Sequence, residues 1–480
     1  MTETVSRGET GHEDANVRDG LAERSNPYTA ALASFAAGIT YAEIPAPVVE
    51  HVKVCVLDTI GCALYGSTLP WSKILLTTAD VLGTPGGVCT VWGTDQRLPA
   101  AEAALVNGTA VHSMELDDLH QHSILHPGSV VLPAALALLE HAGGASGRRL
   151  IEAVVAGYEV GARAGMSVGA AHLVQGWHPT GTHGTLGAAG AAGRMLGLSP
   201  DQMVHAFGIA GSQASGLMAS QYAAMVKRLH AGRASQSGVY AAVLAQRGFT
   251  GITDLFESPY GGYCSTFSPT YDLDKIVNGL GETWEVAKVG FKPYSTNGSC
   301  HTTIDALLEL RRDHHLTLDD VEAIVVHAST ATAKHVGWRY VPESVTTAQM
   351  NLSYIAAVTL ADGAAFVEQF REDRIRDPRL VAAAQRVTVQ ADPDIDARGD
   401  AGRHNVRLEL RLTDGTVLHA ARDYARGSAR SPLTLADVND KFDRLARTVL
   451  DPAQVARVRD LVDRLDEIED ARQLADALRP

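Results

Sequence analysis

The densest cluster of proton-carrying side chains lies in residues 107–127, NGTAVHSMELDDLHQHSILHP. A helix end and the loop after it bring histidines and carboxylates into one neighbourhood: His112, Glu115, Asp117, Asp118, His120, His122 and His126. Such groups exchange protons near neutral pH, which is what general acid–base catalysis requires. A structural interpretation stays equally open, because Asp117 and Asp118 also suit a turn and His126 precedes a proline.

The same segment raises the question of a metal site. His120 and His122 are spaced His-x-His beside carboxylates, a set that zinc or iron can use. No H-E-x-x-H or comparable signature accompanies them. We therefore expect no metal.

A second group is GWHP at residues 176–179, followed by TGTHGTLGAAGAAG. The glycines lack the G-x-G-x-x-G order and the preceding strand of a dinucleotide site, so we expect no NAD. Their three-residue spacing predicts close packing of helices instead. His178, held extended by Pro179 ahead of a helix start, is either a loop residue or a site residue.

Cations form the remaining groups. Lys227 and Arg228, with His230 two residues further on, follow an Ala/Ser/Gly-rich helix and suit either a solvated helix end or a carboxylate clamp, for which arginine offers a bidentate fork. Lys292, Tyr294 and His301 lie where the composition of the chain changes. Domain junctions of this kind are where clefts form.

The elements that position these residues are mostly helical up to about residue 282. Apolar residues at three- and four-residue spacing predict helices over residues 47–65, 100–113, 131–142, 150–165, 185–196, 200–218 and 234–247. This part of the chain is typical of a helix bundle.

A smaller α+β unit interrupts the helical pattern. β-Branched or alternating runs predict strands at residues 321–328, 386–390 and 405–412, with helices at 300–313 and 349–361. A charged helical pattern returns from residue 434. The predicted fold is mostly α with an inserted α+β domain: a tail (1–26), an all-helical bundle (27–282), a lid domain (283–430) and a helical return (431–480).

Charge and cysteine usage exclude several function classes. The net charge is −14, without a Lys/Arg run that would suit a nucleic acid. No apolar run approaches the ~20 residues of a membrane span, and the start lacks a signal core, so we expect a cytoplasmic protein without a membrane partner. Five scattered cysteines predict neither disulfides nor a cysteine–metal site.

Taken in order, these motifs resemble the MmgE/PrpD family. The resemblance runs from about residue 26 to the C-terminus and is carried by LDTIGCALYG at 57–66, Asn107-Gly108, His112, Asp117-Asp118, His126-Pro127, Gly176-x-His178-Pro179, Lys227, Lys292-x-Tyr294 and Lys441-Phe442. It implies a helical domain with an inserted lid, usually as a homodimer. The site would lie between the domains and work without a metal or an organic cofactor.

The resemblance also implies the site residues. Catalytic roles would belong to Glu115, His126, His178, Lys227 and Lys292, and substrate-binding roles to Arg228, Tyr294, His301 and Asp118. The two lysines would stabilise a carbanion next to a carboxylate. His126 or His178 would be the base, with a pKa near the working pH, and the other histidine or Glu115 the acid.

Three functions follow, in order of preference. The first is a cofactor-independent lyase, dehydratase-like, that acts on a small di- or tricarboxylic acid. The second is an epimerase, isomerase or decarboxylase of a related acid, and the third a non-catalytic ligand-binding protein. Compared with the decarboxylases of the family, this chain has Glu115 where they have Asp and Leu119 where they have Thr, and it has one extra residue before His126. Ser295 occupies a position where the family usually has Pro. These changes would alter polar recognition of the substrate.

Overall fold

The computed structural model describes residues 26–480. The predicted N-terminal tail, residues 1–26, lies outside the described residues apart from Asn26. That residue precedes the first helix and donates a side-chain hydrogen bond to the Thr253 carbonyl at 2.9 Å.

Nine helices make up the described chain from Pro27 to Gln246. They are Pro27–Gly38 (α1), Ala46–Ser67 (α2), Pro70–Val81 (α3), Ala100–Val111 (α4), Gly128–His141 (α5), Gly147–Val174 (α6), Pro179–Leu196 (α7), Pro200–Gly211 (α8) and Val226–Gln246 (α9). Short strands lie between them at Cys89–Thr90 (β1), Arg97–Leu98 (β2) and Leu119–His120 (β3).

Helix α7 lies at the centre of the bundle, packed against α5, α6, α8 and α9. Its glycines permit this approach: a Cβ on Gly187 would lie 2.8 Å from the Gly157 carbonyl, and one on Gly184 would lie 2.9 Å from Val130 Cγ1. Backbones that approach so closely leave no room for a side chain. The prediction of close helix packing along this stripe is confirmed.

The second part of the chain mixes short helices with strands. Its elements are Tyr263–Phe267 (α10), Asp274–Val277 (α11), Val289–Gly290 (β4), His301–Asp313 (α12), Val321–Ala328 (β5), Thr330–Val336 (α13), Val345–Gln349 (α14), Leu352–Asp362 (α15), Glu372–Ile375 (α16), Pro378–Ala384 (α17), Val387–Ala391 (β6), Pro393–Asp396 (α18), Val406–Leu412 (β7) and Val417–Arg422 (β8).

Four of these strands form one mixed sheet in the order β6-β5-β7-β8. β5 runs parallel to β6 and antiparallel to β7, and β7 and β8 are antiparallel. Along β7 the side chains alternate, with Val406, Leu408 and Leu410 buried. Helix α12 packs against β7 and β8, and α15 against β6, so helices cover this sheet.

The C-terminal helices pack back against the bundle. They are Leu435–Ala446 (α19), Pro452–Asp463 (α20) and Arg472–Ala477 (α21). Helix α19 packs along α2, where the buried Lys441 ammonium donates to the Asp58 carboxylate and to the Leu116 carbonyl, both at 2.6 Å. The C-terminal return thereby contacts the loop that holds the acidic cluster.

The predicted fold class, mostly α with a smaller α+β part, is confirmed. Several helix bounds differ from the predictions. Helix α7 begins at Pro179 and not near residue 185, because proline suits the first turn of a helix, where no N–H partner is required. Helix α8 ends at Gly211, and α9 begins at Val226, eight residues before the predicted start. Strand β8 was not predicted.

Two further predictions from the sequence concern the pairing of the cysteines and the presence of a membrane-spanning helix. All five cysteines are buried and unpaired, which agrees with the absence of a predicted disulfide framework. Within residues 26–480 no single helix is long and apolar enough to cross a membrane. Helices α2 and α3 together have the necessary length and composition, but they are bent by 77° relative to each other.

Candidate active site

The loop after α4 turns sharply at Glu115. This residue has φ of 51°, a left-handed conformation that a residue with a side chain rarely adopts. The turn directs the buried Glu115 carboxylate to the start of α9, where it accepts hydrogen bonds from the Lys227 ammonium and the Arg228 guanidinium. Strained backbone of this kind occurs preferentially at functional sites.

A third cation reaches the same carboxylate from the second part of the chain. Lys292 Nζ lies 3.2 Å from the Glu115 carbonyl oxygen and 3.9 Å from Oε2. Its position follows from the two-residue ladder between β3 and β4, in which Leu119 pairs with Gly290. The ladder ties the acidic loop to the segment that carries the lysine.

The cations and the carboxylate control one another's ionisation. Burial alone would raise the pKa of Glu115, but Lys227, Arg228 and Lys292 together hold it well below its usual range. Glu115 is therefore ionised at neutral pH, and the expectation that it protonates a leaving hydroxyl is not supported. Burial, with Arg228 and Lys292 nearby, lowers the pKa of Lys227 although Glu115 opposes the shift.

Arg228 is held in place beneath the site. Its side chain is fully buried, and it donates to Gln349 Oε1 at 2.8 Å as well as to Glu115. Gln349 donates in turn to the Met114 carbonyl and to Ser295 Oγ at 2.8 and 2.9 Å. The structure gives Arg228 a role in positioning Glu115 and does not place it on the cleft wall, where it was expected to bind substrate.

Ser295, which differs from the family's usual proline, takes part in this network. Its hydroxyl donates to the Met114 carbonyl at 2.6 Å, and its backbone N–H donates to the Ala365 carbonyl at 2.9 Å. A proline could make neither bond. The serine therefore fastens the acidic loop to the second part of the chain.

Two of the predicted histidines face the cleft as neutral rings. His126 Nδ1 lies 2.6 Å from the Asp118 carbonyl, which can only accept, so Nδ1 carries the proton and Nε2 is left to act as a base. His178 Nδ1 lies 3.0 Å from His230 Nδ1, so one ring donates and the other accepts. A fourth ring, His112, lies 5.0 Å from His126 and 5.4 Å from His178, centroid to centroid.

Burial decides the charge of these histidines. It lowers the pKa of His126 to about 3, with Lys292 adding to the shift and Asp117 opposing it. Burial and Lys227 hold the pKa of His178 well below its ordinary value. The expectation of a base with a pKa near the working pH is therefore wrong for the ligand-free protein. Both rings are neutral at pH 7 and able to accept a proton.

Glu115, Leu119, His126, His178 and Lys227 line a cleft whose unfilled space is about 600 Å³, its open mouth included. The opposite wall comes from the α+β part of the chain and carries Asn297, Ser299, His335, Arg403 and His404. The cleft thus lies where the two parts of the chain meet. Four of the five predicted catalytic residues line it, and Lys292 lies directly behind Glu115.

Like Arg228, the other three predicted substrate-binding residues do not line the cleft. Asp118 is buried and accepts hydrogen bonds from Gly128 N–H at 2.9 Å and Tyr158 OH at 2.8 Å, so it caps the start of α5. Tyr294 OH donates to Asp305 at 2.6 Å, away from the cleft, and His301 packs against the Tyr294 ring. Their polar atoms are used in holding the structure together.

The side chains that converge as potential metal ligands are not the His-x-His pair noted in the sequence. His120 is buried between Ser123 and Glu285, and His122 is exposed, so the His-x-His pair does not converge. Instead, single donor atoms of His112, Asp117 and His126 lie within 4.8 Å of one another. His112 Nδ1 makes a 2.7 Å hydrogen bond to Asp117 Oδ2, whereas His112 Nε2 and Asp117 Oδ1 have no hydrogen-bond partner among residues 26–480.

His230, the histidine of the Lys227–Arg228 group in the sequence, lies beside His178 at the site. Sequence reasoning did not single out three other residues that line the cleft. His335, Arg403 and His404 belong to the α+β part and carry no motif. Their closeness to Lys227 arises only from the fold.

Comparisons with known proteins agree with this architecture. The MmgE/PrpD N-terminal domain matches residues 30–274, and the MmgE/PrpD C-terminal domain matches residues 294–467. The chain is 33% identical to a cis-aconitate decarboxylase of Aspergillus terreus over 97% of both chains. It is 32% identical to the cis-aconitate decarboxylase-like protein oryM of Aspergillus oryzae, over 93% of this chain and 96% of that one. It is 30% identical to the human cis-aconitate decarboxylase, over 92% of both. The chain belongs to the MmgE/PrpD family.

Proposed function

We propose that this chain is a lyase that removes carbon dioxide from a small unsaturated tricarboxylate, with cis-aconitate as the first acid to test. The broader prediction, a lyase that acts on a small carboxylic acid, is confirmed by the family and by the decarboxylases at near full length. The non-catalytic alternative has no support among these relatives.

One observation carries the proposal: neutral histidines and the buried Lys227 line the same cleft. Lys227 supplies positive charge beside which a carboxylate or a developing carbanion is stabilised, in a site sheltered from water. His126 Nε2 and the His178 ring are uncharged and within the same walls. Charge stabilisation and proton transfer are thereby available together.

The reaction can be balanced with these groups. In a decarboxylation the bond to one carboxylate breaks, and its electron pair forms a new carbon–carbon double bond. The electrons of the original double bond take up a proton at the far carbon, and carbon dioxide leaves. Lys227, whose pKa burial lowers, gives up a proton more readily than an exposed lysine and is the donor that we favour.

Dehydration of a hydroxylated relative is the second candidate, because a neutral histidine and a buried lysine line the same cleft. His126 Nε2 would take the proton next to a carboxylate, and Lys227 would protonate the departing hydroxyl. An epimerase would use the same base but return the proton to the opposite face. The substrate therefore decides between these outcomes.

Incubation of an acid panel in deuterated water separates the three reactions. The panel holds cis-aconitate, 2-methylcitrate, citrate and iminodisuccinate, and the products are read by mass spectrometry and proton NMR. Loss of carbon dioxide supports the proposal, and loss of water supports the second candidate. Deuterium uptake at constant composition would replace both with the epimerase.

A matched pair of lysine variants tests whether turnover depends on the lysine in the cleft. Lys227→Met should lower kcat by at least about 100-fold, as removal of a preorganised charge does. Lys288→Met is the control, because Lys288 is 41% exposed and pairs with Glu285 away from the cleft. Equal activity in the two variants would contradict the assigned role of Lys227.

We also propose that the enzyme works as a cytoplasmic homodimer. Buried, unpaired cysteines suit a reducing compartment. Exposed apolar side chains that cluster near the start of α9, namely Leu217, Tyr222, Met225 and Val226, offer a surface for a second copy. Light scattering coupled to size-exclusion chromatography tests the dimer, and a monomeric mass would refute it.

A further inference from the structure

A hydrogen bond between two histidines joins the cleft to a second cavity. His178 lines the cleft, whereas His230 lines the second cavity. The Nδ1 atoms of the two rings lie 3.0 Å apart, and the ring centroids lie 5.1 Å apart. His178 is buried, and His230 is half-buried. The pair is therefore a hydrogen-bonded connection between the two spaces.

The second cavity is lined by α7, by α9 and by the segment before α9. Its unfilled space is about 1130 Å³, its open mouth included, and it shares no lining residue with the cleft. Its lining includes the polar Gln213 and Ser215 beside the apolar Leu217 and Val226. A cavity of this size, open at its mouth, admits water. Leu217 and Val226 also belong to the surface proposed for a second copy, so a partner would enclose this water and leave His230 in contact with it.

The backbone around Gly216 holds the two rings at this spacing. The His178 N–H donates to the Gly216 carbonyl, and the Gly181 N–H donates to the His178 carbonyl, both at 2.9 Å. A Cβ on Gly216 would lie 3.2 Å from His230 Nδ1 and 3.3 Å from His178 Cβ, and Gly216 has φ of 140°. Both the space and the backbone conformation favour glycine there. The position of the pair is thus fixed by the backbone as well as by its own hydrogen bond.

The hydrogen bond between the rings allows two uncharged arrangements. Both rings are neutral at pH 7, because burial lowers the pKa of His230 to about 4 and holds that of His178 well below its ordinary value. A neutral imidazole carries one N–H, so one Nδ1 donates and the other accepts. When His178 Nδ1 donates, His178 Nε2 has a free lone pair and is a base. When His230 Nδ1 donates, His178 Nε2 carries a proton and is an acid.

The proposed decarboxylation needs a proton while the cleft is occupied. Each turnover replaces a carbon–carboxylate bond by a carbon–hydrogen bond, so one proton is consumed for each carbon dioxide released. Lys227 is the proposed donor, and it must be protonated again before the next turnover. It lines the same cleft as His178, and its charge adds to the lowering of the pKa of both His178 and His230. The histidine pair is therefore close enough to Lys227 to supply this proton.

We propose that His230 is a positioning residue that relays protons from the water of the second cavity to His178 while substrate fills the cleft. This inference rests on the proposed function and adds the route by which its proton arrives. His178 Nε2–H protonates neutral Lys227, the Nδ1 proton of His230 passes to His178 Nδ1, and His230 Nε2 takes up a solvent proton from the cavity. Neither ring holds a net charge after the transfer. Once the product has left, water in the open cleft protonates His178 Nε2, and the reverse transfer restores the first arrangement.

His230→Asn distinguishes a relay from a structural contact. The asparagine amide lies near the position of Nδ1, so it can keep the hydrogen bond to His178 but cannot pass a proton from one atom to another. The variant should lower kcat by about 100-fold, the lower end of what a positioned proton-transfer group contributes, and change KM by less than about threefold. Its solvent deuterium isotope effect on kcat should exceed that of the parent protein, because proton supply has become rate-limiting. His230→Leu, which also loses the hydrogen bond, should be at least as slow.

His205→Asn is the matched control. His205 is half-buried on α8, its Nδ1 accepts from the Gly251 N–H at 3.3 Å, and it lines neither the cleft nor the second cavity. The variant should keep the kcat, the KM and the isotope effect of the parent protein. Urea unfolding followed by circular dichroism checks that each variant is folded.

Nitrogen-15 NMR of the histidines tests the pair without any turnover, with signals assigned from the His230→Asn and His230→Leu spectra. At pH 7 one ring of the pair should be the Nδ1–H tautomer and the other the Nε2–H tautomer. Two Nε2–H rings, or a charged ring, would overturn the relay. A parent-like kcat and isotope effect in His230→Asn would also overturn it and leave the proposed function intact. A protein that shows the paired tautomers but turns over no acid of the panel would uphold the hydrogen-bonded pair and refute the proposed reaction.

Discussion

The Glu115 carboxylate and the Lys227 ammonium form a buried ion pair between the loop after α4 and the first turn of α9. Cations are unfavourable at a helix N-terminus, where the helix dipole is positive. Lys227 and Arg228 are nevertheless buried there, with Glu115 as their shared counter-ion. A site that holds excess positive charge in this way attracts anions.

Glu115→Gln should destabilise the protein by about 3 kcal/mol or more, because it leaves buried cations without their counter-ion. Urea unfolding followed by circular dichroism measures this change. Glu50→Gln is the matched control, since Glu50 is 68% exposed in its pair with Lys53 and should shift stability by less than about 1 kcal/mol. Equal stabilities of the two variants would show that the Glu115 pair contributes nothing.

His126→Asn should lower kcat by about 100-fold or more, because it removes the ring nitrogen that faces the cleft as a base. His122→Asn, four residues earlier and exposed, should leave kcat unchanged. Steady-state kinetics on the acid that proves to be the substrate measures both. If the His126→Asn enzyme keeps its activity, His126 is not the base, and His178 is the remaining candidate.

Stability should fall as the pH is lowered from about 6.5 towards 4. Burial lowers the pKa of His172 and of His230 from 6.5 to about 4, so the unfolded chain binds more protons in this window. Stability is complete above the unfolded pKa and is lost by up to about 1.4 kcal/mol per pH unit for each such histidine.

His172→Gln isolates one of these contributions. His172 lies behind the cleft, between the Phe267 carbonyl and the Thr182 hydroxyl. The variant should be less stable at pH 7, yet its stability should depend less steeply on pH. Urea unfolding at pH 7, 6 and 5 compares the slopes, and parallel slopes would show that His172 does not bear the shift.

Activity should survive removal of divalent metals. The proton transfers proposed above use His126 and Lys227 and require no metal, although ligand atoms of His112, Asp117 and His126 lie within 4.8 Å of one another. We expect enzyme dialysed against a chelator, with its metal content checked by mass spectrometry, to keep its kcat. A loss of activity that zinc or iron restores would instead assign the His112, Asp117 and His126 group to a metal.

The sequence by itself determined many of the longer elements. The β-branched run at Val321–Ala328 is the predicted strand to the residue, and the predicted helix at 100–113 corresponds to α4. Periodicity of this kind depends only on neighbours along the chain, which the sequence displays. Glu115 and His126 were found for the same reason, because one short segment carries both.

Tertiary structure alone decided which polar groups face the cleft. Asp118 lies between residues of the site, yet its carboxylate turns inward to cap α5. Conversely, His335 and Arg403, without any motif, share a cleft wall with Lys227. The direction of a side chain and its distant neighbours depend on how helices and strands pack, and short-range sequence patterns do not encode that packing.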